Sequence, residues 1–240
     1  MAESDLGSVL ITGCGEGGIG HALASEFKAK GFTVITTLLA HESRSHLTNV
    51  GIHAFTADVT KDEDIIELRK KVTEIGGGGL KFMVNNASGY TMTAIDTEVK
   101  EVEKMFAVNV FGPMRMVHFF HPLLVKAQGT VINIGSVGGI VPYVYGGKSR
   151  RTFQVSIRRL TNASASYNAT KAALHHWGNT LRVELKPLGV TVVNIISGEV
   201  ATNILKRDQT RKLPSESLYQ PLQEEFTNHV KRTPKSAFIC

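Results

Sequence analysis

Residues 8–20 read Ser8-Val9-Leu10-Ile11-Thr12-Gly13-Cys14-Gly15-Glu16-Gly17-Gly18-Ile19-Gly20, an apolar run that breaks into glycines and then into amphipathic sequence. The stretch from Ser8 to Thr12 predicts a buried strand, and the segment from Ile19 to about Lys30 predicts a helix. Glycines between them allow a tight turn with close backbone approach. The free N–H groups that open the helix suit an anion such as a pyrophosphate.

The same alternation continues outward from that junction. Phe32–Leu39, Ile52–Asp58, Leu80–Asn85, Thr130–Gly135 and Val190–Ile196 predict further buried strands. Lys61–Ile75, Thr97–Asn109, Val110–Lys126 and Ser166–Lys186 predict the helices between them. Strands alternating with helices specify βαβ units. The expected architecture is one α/β domain: a Rossmann-type, doubly wound parallel sheet flanked by helices, with no internal repeat.

A chain of 240 residues, 42% hydrophobic and 20% charged, can bury a substantial core. That composition excludes a disordered tail, a collagen-like repeat and a disulfide scaffold. Cys14 and Cys240 are the only cysteines, which fits a reducing compartment. No apolar run reaches the ~18 residues of a membrane span. The acidic start MAESDLGSVL lacks the basic region of a secretory signal. The net charge of +6 invites a nucleic-acid reading, but no nucleic-acid motif accompanies it. His118 and His121 stand three apart on a helix without a third ligand, so no metal site is expected. His175 and His176 read as part of their helix, and Trp177 as core.

Further motifs follow in chain order: Asp58-Val59 after the third strand, Asn85-Asn86-Ala87-Ser88, Asn109 in MFAVNVFG, Ser136 in INIGS, Tyr167-Asn168-Ala169-Thr170-Lys171, Ser197-Gly198 and Thr202. With the glycine loop they make the chain resemble the short-chain dehydrogenase/reductase family over about residues 8–205. ITGCGEGGIGHALASEF and YNATKAALHHWGNTLRVEL look closest to its fungal 1-acyl-dihydroxyacetone-phosphate reductase-like branch. There are departures. The TGxxxGxG loop carries one extra residue, Ser88 replaces a glycine, and Ser197 stands where a proline is usual.

The resemblance implies cofactor contacts from Thr12, Gly13, Gly18, Ile19, Gly20, Asp58, Val59, Asn86, Ala87, Lys171 and Thr202. It implies Asn109, Ser136, Tyr167 and Lys171 as the catalytic set, with Lys171 also holding the nicotinamide ribose and Asn109 helping to hold a proton-relaying water. The chemistry is consistent with these residue types. Reduction of a ketone needs a proton donor at the carbonyl oxygen, and Tyr167 is the candidate acid. Its phenol would titrate near 10 unaided, and Lys171, one helical turn away, is expected to lower that value. Ser136 would hydrogen-bond and orient the carbonyl.

Cofactor choice rests on the end of the second strand. There Thr36-Thr37-Leu38-Leu39-Ala40-His41 has no acid for a ribose 2′-hydroxyl, and the branch's arginine is replaced by Leu39. Arg44, in the following loop, is a substitute partner for a 2′-phosphate. NADP(H) is therefore the expected cofactor; Glu16 argues the other way, and NAD(H) stays open. The expected function is an NADP(H)-dependent oxidoreductase acting on a ketone or secondary alcohol, with an acyl-dihydroxyacetone-phosphate-like lipid as candidate substrate. A specialised-metabolism ketone reductase and a non-catalytic cofactor-binding member are the alternatives. The resemblance further implies a homodimer or homotetramer and a cytoplasmic location, peripheral to the endoplasmic reticulum or lipid droplets.

Two regions depart from the family. Thirty residues separate Ser136 from Tyr167, against about a dozen in the family, an excess of 18 within 147–165, GKSRRTFQVSIRRLTNASA. One reading is a lid; the other is a retained intron. Gly147-Lys148-Ser149 can be encoded with a GTAAGT donor, Leu160-Thr161-Asn162 permits a CTAAC branch string, and Ser164-Ala165 permits a CAG acceptor. Removing 18 codons keeps the frame. That segment carries Lys148, Arg150, Arg151, Arg158 and Arg159, so without it the net charge falls to +1. Beyond Thr202 only 38 residues follow, so the sheet's last strand is expected to be missing. Residues 203–231 are expected to form a substrate lid, with Leu218, Tyr219, Leu222 and Phe226 at partly helical spacing, and HVKRTPKSAFIC, 229–240, a short tail.

Overall fold

A computed structural model describes residues 6–89, 94–141, 165–198, 200–202 and 212–231. The described strands are β1 (Ser8–Ile11), β2 (Thr33–Leu38), β3 (His53–Thr56), β4 (Phe82–Asn85), β5 (Thr130–Ile134) and β6 (Thr191–Ile195). The helices are α1 (Ile19–Ala29), α2 (Ser45–Thr48), α3 (Asp62–Ile75), α4 (Val99–Phe106), α5 (Gly112–Ala127), α6 (Ala165–Leu185) and α7 (Gln223–Lys231). Each strand pairs in parallel with its neighbours, in the order β3-β2-β1-β4-β5-β6. This is the doubly wound, Rossmann-type arrangement that the sequence predicts.

Strand side chains alternate between two cores, as the period of two requires. Leu10, Ile35, Met83, Val131 and Val192 point to one face, where they pack with Leu68 of α3, Phe120 of α5 and Leu181 of α6. Val9, Ile11, Val34, Val84 and Ile134 point to the other, with Ala24 of α1 and Leu47 of α2. α3 shows why such segments are helical. Ile65, Leu68 and Val72 recur at helical spacing on its buried side, and Asp62, Glu63 and Asp64 place negative charge at its positive end.

The expected break between Asn109 and Val110 is not a helix boundary. α4 and α5 run into each other through one wide π-turn, Ala107–Phe111. Pro113, in the first turn of α5, has no N–H to give the carbonyl of Asn109, which favours the wider turn at this point. The turn carries Asn109 inward, to 1% exposure. Pro122 likewise leaves the carbonyl of His118 without its helical donor, and His121 Nδ1 takes that carbonyl at 2.7 Å.

Among the described residues β6 is an edge of the sheet, with Val193 and Ile195 about 40% exposed. The segment 212–231 forms a small cluster of its own, Leu213 and Phe226 buried against Tyr219. Ser217 ties it to the main body by donating to Asp96 Oδ2 at 2.9 Å. Leu218, expected on the apolar side of a lid, is exposed. Residues 147–164 of the anomalous segment, the first part of the expected lid at 203–211 and the end of the tail at 232–240, which holds Cys240, lie outside the described residues.

Candidate active site

β1 and β4 are neighbours whose following connections leave in opposite directions, so a crevice opens between their carboxyl ends. The loop from Thr12 to Gly18 crosses that crevice. Gly13 adopts a φ of +71°, and a Cβ there would lie 2.7 Å from Ala87 Cα. Asn86 Nδ2 donates to the carbonyls of Thr12 and Gly13 at 2.9 and 2.8 Å. Thr12 Oγ1 in turn accepts the N–H groups of Asn86 and Ala87, both at 3.1 Å. Thr12 and Gly20 are therefore wall supports behind the cleft, tying the glycine loop to the end of β4, whereas Gly13, Gly18 and Ile19 line it.

Two histidines that sequence reasoning passed over brace this loop. His21 Nδ1 accepts the N–H of Gly17 at 3.1 Å, and His46 Nε2 bonds the carbonyl of Cys14 at 2.9 Å. Their rings meet edge to face at 4.7 Å. The Cys14 thiol faces inward and burial pushes its pKa far up, so it stays a neutral core group.

The cleft has a volume of about 710 Å³. Its walls run from Gly13 and Gly18, past Asp58 and Val59, along Asn86 and Ala87, to Ser136, Tyr167, Lys171 and Thr202. Gly18 caps α1 without a side-chain bond, so no side chain competes for the N–H groups of the helix's first turn. An elongated, open crevice with a bare helix N-terminus part-way along fits a dinucleotide. Asp58 is oriented by Thr60, whose N–H and hydroxyl donate to Asp58 Oδ1 at 2.9 and 2.8 Å.

An acid that the strand-end reading missed also lines the cleft. Glu42 folds back so that its Oε2 accepts the N–H of Leu39 at 3.1 Å. Arg44, the expected substitute for a phosphate-binding arginine, is exposed at the N-cap of α2 and is not part of the cleft wall. The loop's backward turn decides this, since Glu42 lies four residues past the end of β2.

At the far end of the crevice β5 and α6 bring the expected catalytic residues together. The Ser136 hydroxyl is hydrogen-bonded to the Tyr167 phenol, and Ser136 Oγ accepts the N–H of Gly138 at 3.1 Å. Lys171 Nζ lies 5.7 Å from the centre of the Tyr167 ring. Its ammonium donates to the carbonyl of Ile134 at 2.9 Å. Burial lowers the Lys171 pKa to about 8. The expected lowering of the phenol's pKa by Lys171 is not what this geometry produces. Burial pushes Tyr167 above the ordinary tyrosine value, and the bond to Ser136 pulls it part of the way back. Both amide hydrogens of Asn109 are used, on Gly89 O at 2.8 Å and on Oγ1 of Thr170, the residue before Lys171, at 3.0 Å. Its Oδ1 accepts the Gly89 N–H at 2.8 Å, which leaves one lone pair for a further donor.

Sheet order, loop and cleft together define a dinucleotide-binding α/β protein. A family model described as short chain dehydrogenase matches residues 8–147 and 158–213, and the chain belongs to that family. A short-chain dehydrogenase of Penicillium roqueforti is 64% identical over 224 residues, covering 93% of this chain and 71% of the relative. One from Pyricularia oryzae is 60% identical, covering 94% and 74%. The NADPH-dependent 1-acyldihydroxyacetone phosphate reductase of Schizosaccharomyces pombe is also a relative, at 35% identity over 96% of this chain and 73% of that one. Among solved structures, a Streptomyces avermitilis short-chain dehydrogenase matches with a TM-score of 0.68 and 28% identity, over 84% of this chain and 68% of the other. The chain is thus an oxidoreductase that works with a nicotinamide cofactor. The family match skips residues 148–157, inside the segment that the sequence marks as surplus.

Proposed function

We propose that the chain interconverts a ketone and a secondary alcohol with NADP(H), and that Tyr167 is its acid–base group. The observation that carries this reading is the Ser136–Tyr167 hydrogen bond at the cleft wall, with the buried ammonium of Lys171 beside the ring. A nicotinamide bound in the cleft supplies or removes the hydride. Tyr167 gives its hydroxyl proton to the substrate oxygen as negative charge develops there. Ser136 orients that oxygen by hydrogen bonding. Lys171, charged below a pKa of about 8, stands beside the ring to hold the nicotinamide ribose, as the family resemblance implies. Asn109 keeps the Gly89 strap and the Thr170 turn of α6 in register, and its spare lone pair is placed to hold a water.

NADP(H) is supported by the absence of an acid at the end of β2 and by the NADPH dependence of the Schizosaccharomyces pombe relative. That relative also supports an acyl-dihydroxyacetone-phosphate-like lipid as the substrate. Glu42 favours a second reading, NAD(H), because a carboxylate in the cleft repels a 2′-phosphate and accepts from a 2′-hydroxyl. We include in the proposal a cytoplasmic homodimer or homotetramer, as the family resemblance implies. The test is oxidation of NADPH and of NADH, followed with acyl-dihydroxyacetone phosphate and with ketones lacking phosphate. Turnover of neither cofactor with any ketone overturns the proposal.

A further inference from the structure

One contact made by α6 lies beneath the serine rather than in the cleft. The N–H groups of Gly135 and Val137 are taken by β6 and its extension, donating to Ile195 O and Ser197 O, each at 2.8 Å. The intervening N–H of Ser136 points the opposite way, as alternate amides of an extended segment must. On that side β4 has already ended, so no strand receives it. His175 of α6 does: its Nε2 accepts the Ser136 N–H at 3.1 Å.

The surroundings are shaped for that ring. His175 is buried, 7% exposed. A side chain at Gly135 would collide with His175 Nε2, and a Cβ at Gly139 would sit 2.8 Å from Cε1. The residues flanking the serine are thus bare where the imidazole fits. The helix turn that carries the ring is anchored as well. Asn194 Nδ2 donates to the His175 carbonyl at 3.0 Å, Asn133 Nδ2 donates to Asn194 Oδ1 at 3.0 Å, and Asn85 Nδ2 donates to Asn133 Oδ1 at 2.9 Å. Asn85, Asn133 and Asn194 are register partners across β4, β5 and β6, so this amide ladder crosses the sheet and ends on His175.

We propose that His175 is a positioning residue for Ser136: by accepting its backbone N–H and filling the space left by Gly135 and Gly139, it holds the serine hydroxyl against Tyr167. The proposal rests on the role given to Ser136 above. As acceptor at Nε2 the ring is neutral, with its proton on Nδ1. Burial and the charge of Lys171 both lower the His175 pKa, which maintains that form.

The test separates the anchor from the chemistry. Hydrogen-bond scalar coupling between the Ser136 amide and His175 Nε2 is measured by NMR on the unaltered chain, and its absence overturns the proposal whether or not any variant folds. His175→Phe keeps a ring of similar size and removes the acceptor; His175→Gln returns an acceptor at about the same reach. Amide exchange at Ser136 should be at least about ten-fold faster in the Phe variant and near the parent rate in the Gln variant. With ethyl acetoacetate as probe, kcat should fall about ten- to a hundred-fold in the Phe variant, with KM and the NADPH dissociation constant within about three-fold, and Gln should recover most of the loss. A Phe variant with parental exchange and kcat, or a Gln variant as impaired as Phe, overturns the positioning role. A parent chain that shows the coupling but reduces no ketone overturns the reductase reading instead.

Discussion

The ammonium of Lys171 donates to the carbonyl of Ile134 at 2.9 Å, in a position only 3% exposed. The carbonyl of Ile134 holds this cation in place, and burial lowers its pKa to about 8. In the cofactor-free chain this makes stability depend on pH. The unfolded lysine keeps its proton up to 10.5, whereas the folded one gives it up near 8, so between those values the unfolded state binds more protons and stability rises with pH. The cost is fully present below pH 8. Above about 10 the raised pKa of Tyr167 acts in reverse, since the folded chain keeps a proton that the unfolded chain releases. The melting temperature of the apo chain should climb from pH 8, peak near 10 and then fall. The lysine contribution is on the order of 3 kcal/mol. Lys171→Met should flatten the climb, as calorimetry across that pH range will show.

Tyr167→Phe removes the proposed proton donor and, with it, the hydrogen bond to Ser136. Turnover should drop by roughly three orders of magnitude while cofactor affinity stays within a few-fold. Steady-state kinetics beside a fluorescence titration of NADPH provide the comparison; retained turnover would show that another group supplies the proton.

Ser136→Ala should act twice. It removes the group that orients the substrate oxygen, lowering kcat by about a hundred-fold. It also removes the hydrogen bond that pulls the Tyr167 pKa down, so the phenol's titration should move upward, as direct ultraviolet titration of the tyrosine will reveal.

Asn109→Ala would take the amide away from the Gly89 backbone and the Thr170 hydroxyl. Unfolding by denaturant should register a loss of about 1–3 kcal/mol, because the partly buried Gly89 N–H and C=O lose their partner while the Thr170 hydroxyl keeps its bond to the Tyr167 carbonyl. A loss below about 0.5 kcal/mol, within the range of ordinary surface substitutions, would contradict that count.

Glu42→Gln tests which reading of the cofactor is correct. If the carboxylate faces the ribose, NADPH should bind about ten-fold tighter relative to NADH than in the parent. Paired titrations with the two cofactors decide it, and an unchanged ratio would remove Glu42 from the specificity argument.

The alternation of strands and helices, the parallel sheet and the crossing of the glycine loop were legible from residues 8–20 and the runs after them. Those features follow from local periodicity: apolar residues every second position, or every third and fourth, state which segments are strands and which helices. The order of Asn109, Ser136, Tyr167 and Lys171 along the chain was legible too, because each lies in a short motif. What tertiary structure alone decided are contacts between residues far apart in sequence. Thr12 turned out to brace the end of β4 rather than line the cleft, Glu42 turned back into it, and Asn109 was drawn into a π-turn by Pro113 and committed to Gly89 and Thr170. Most of all, His175 looked like an ordinary helical residue until strand register and helix placement put it under Ser136. A local pattern cannot state which donor a side chain will meet, because that depends on where two separate elements cross.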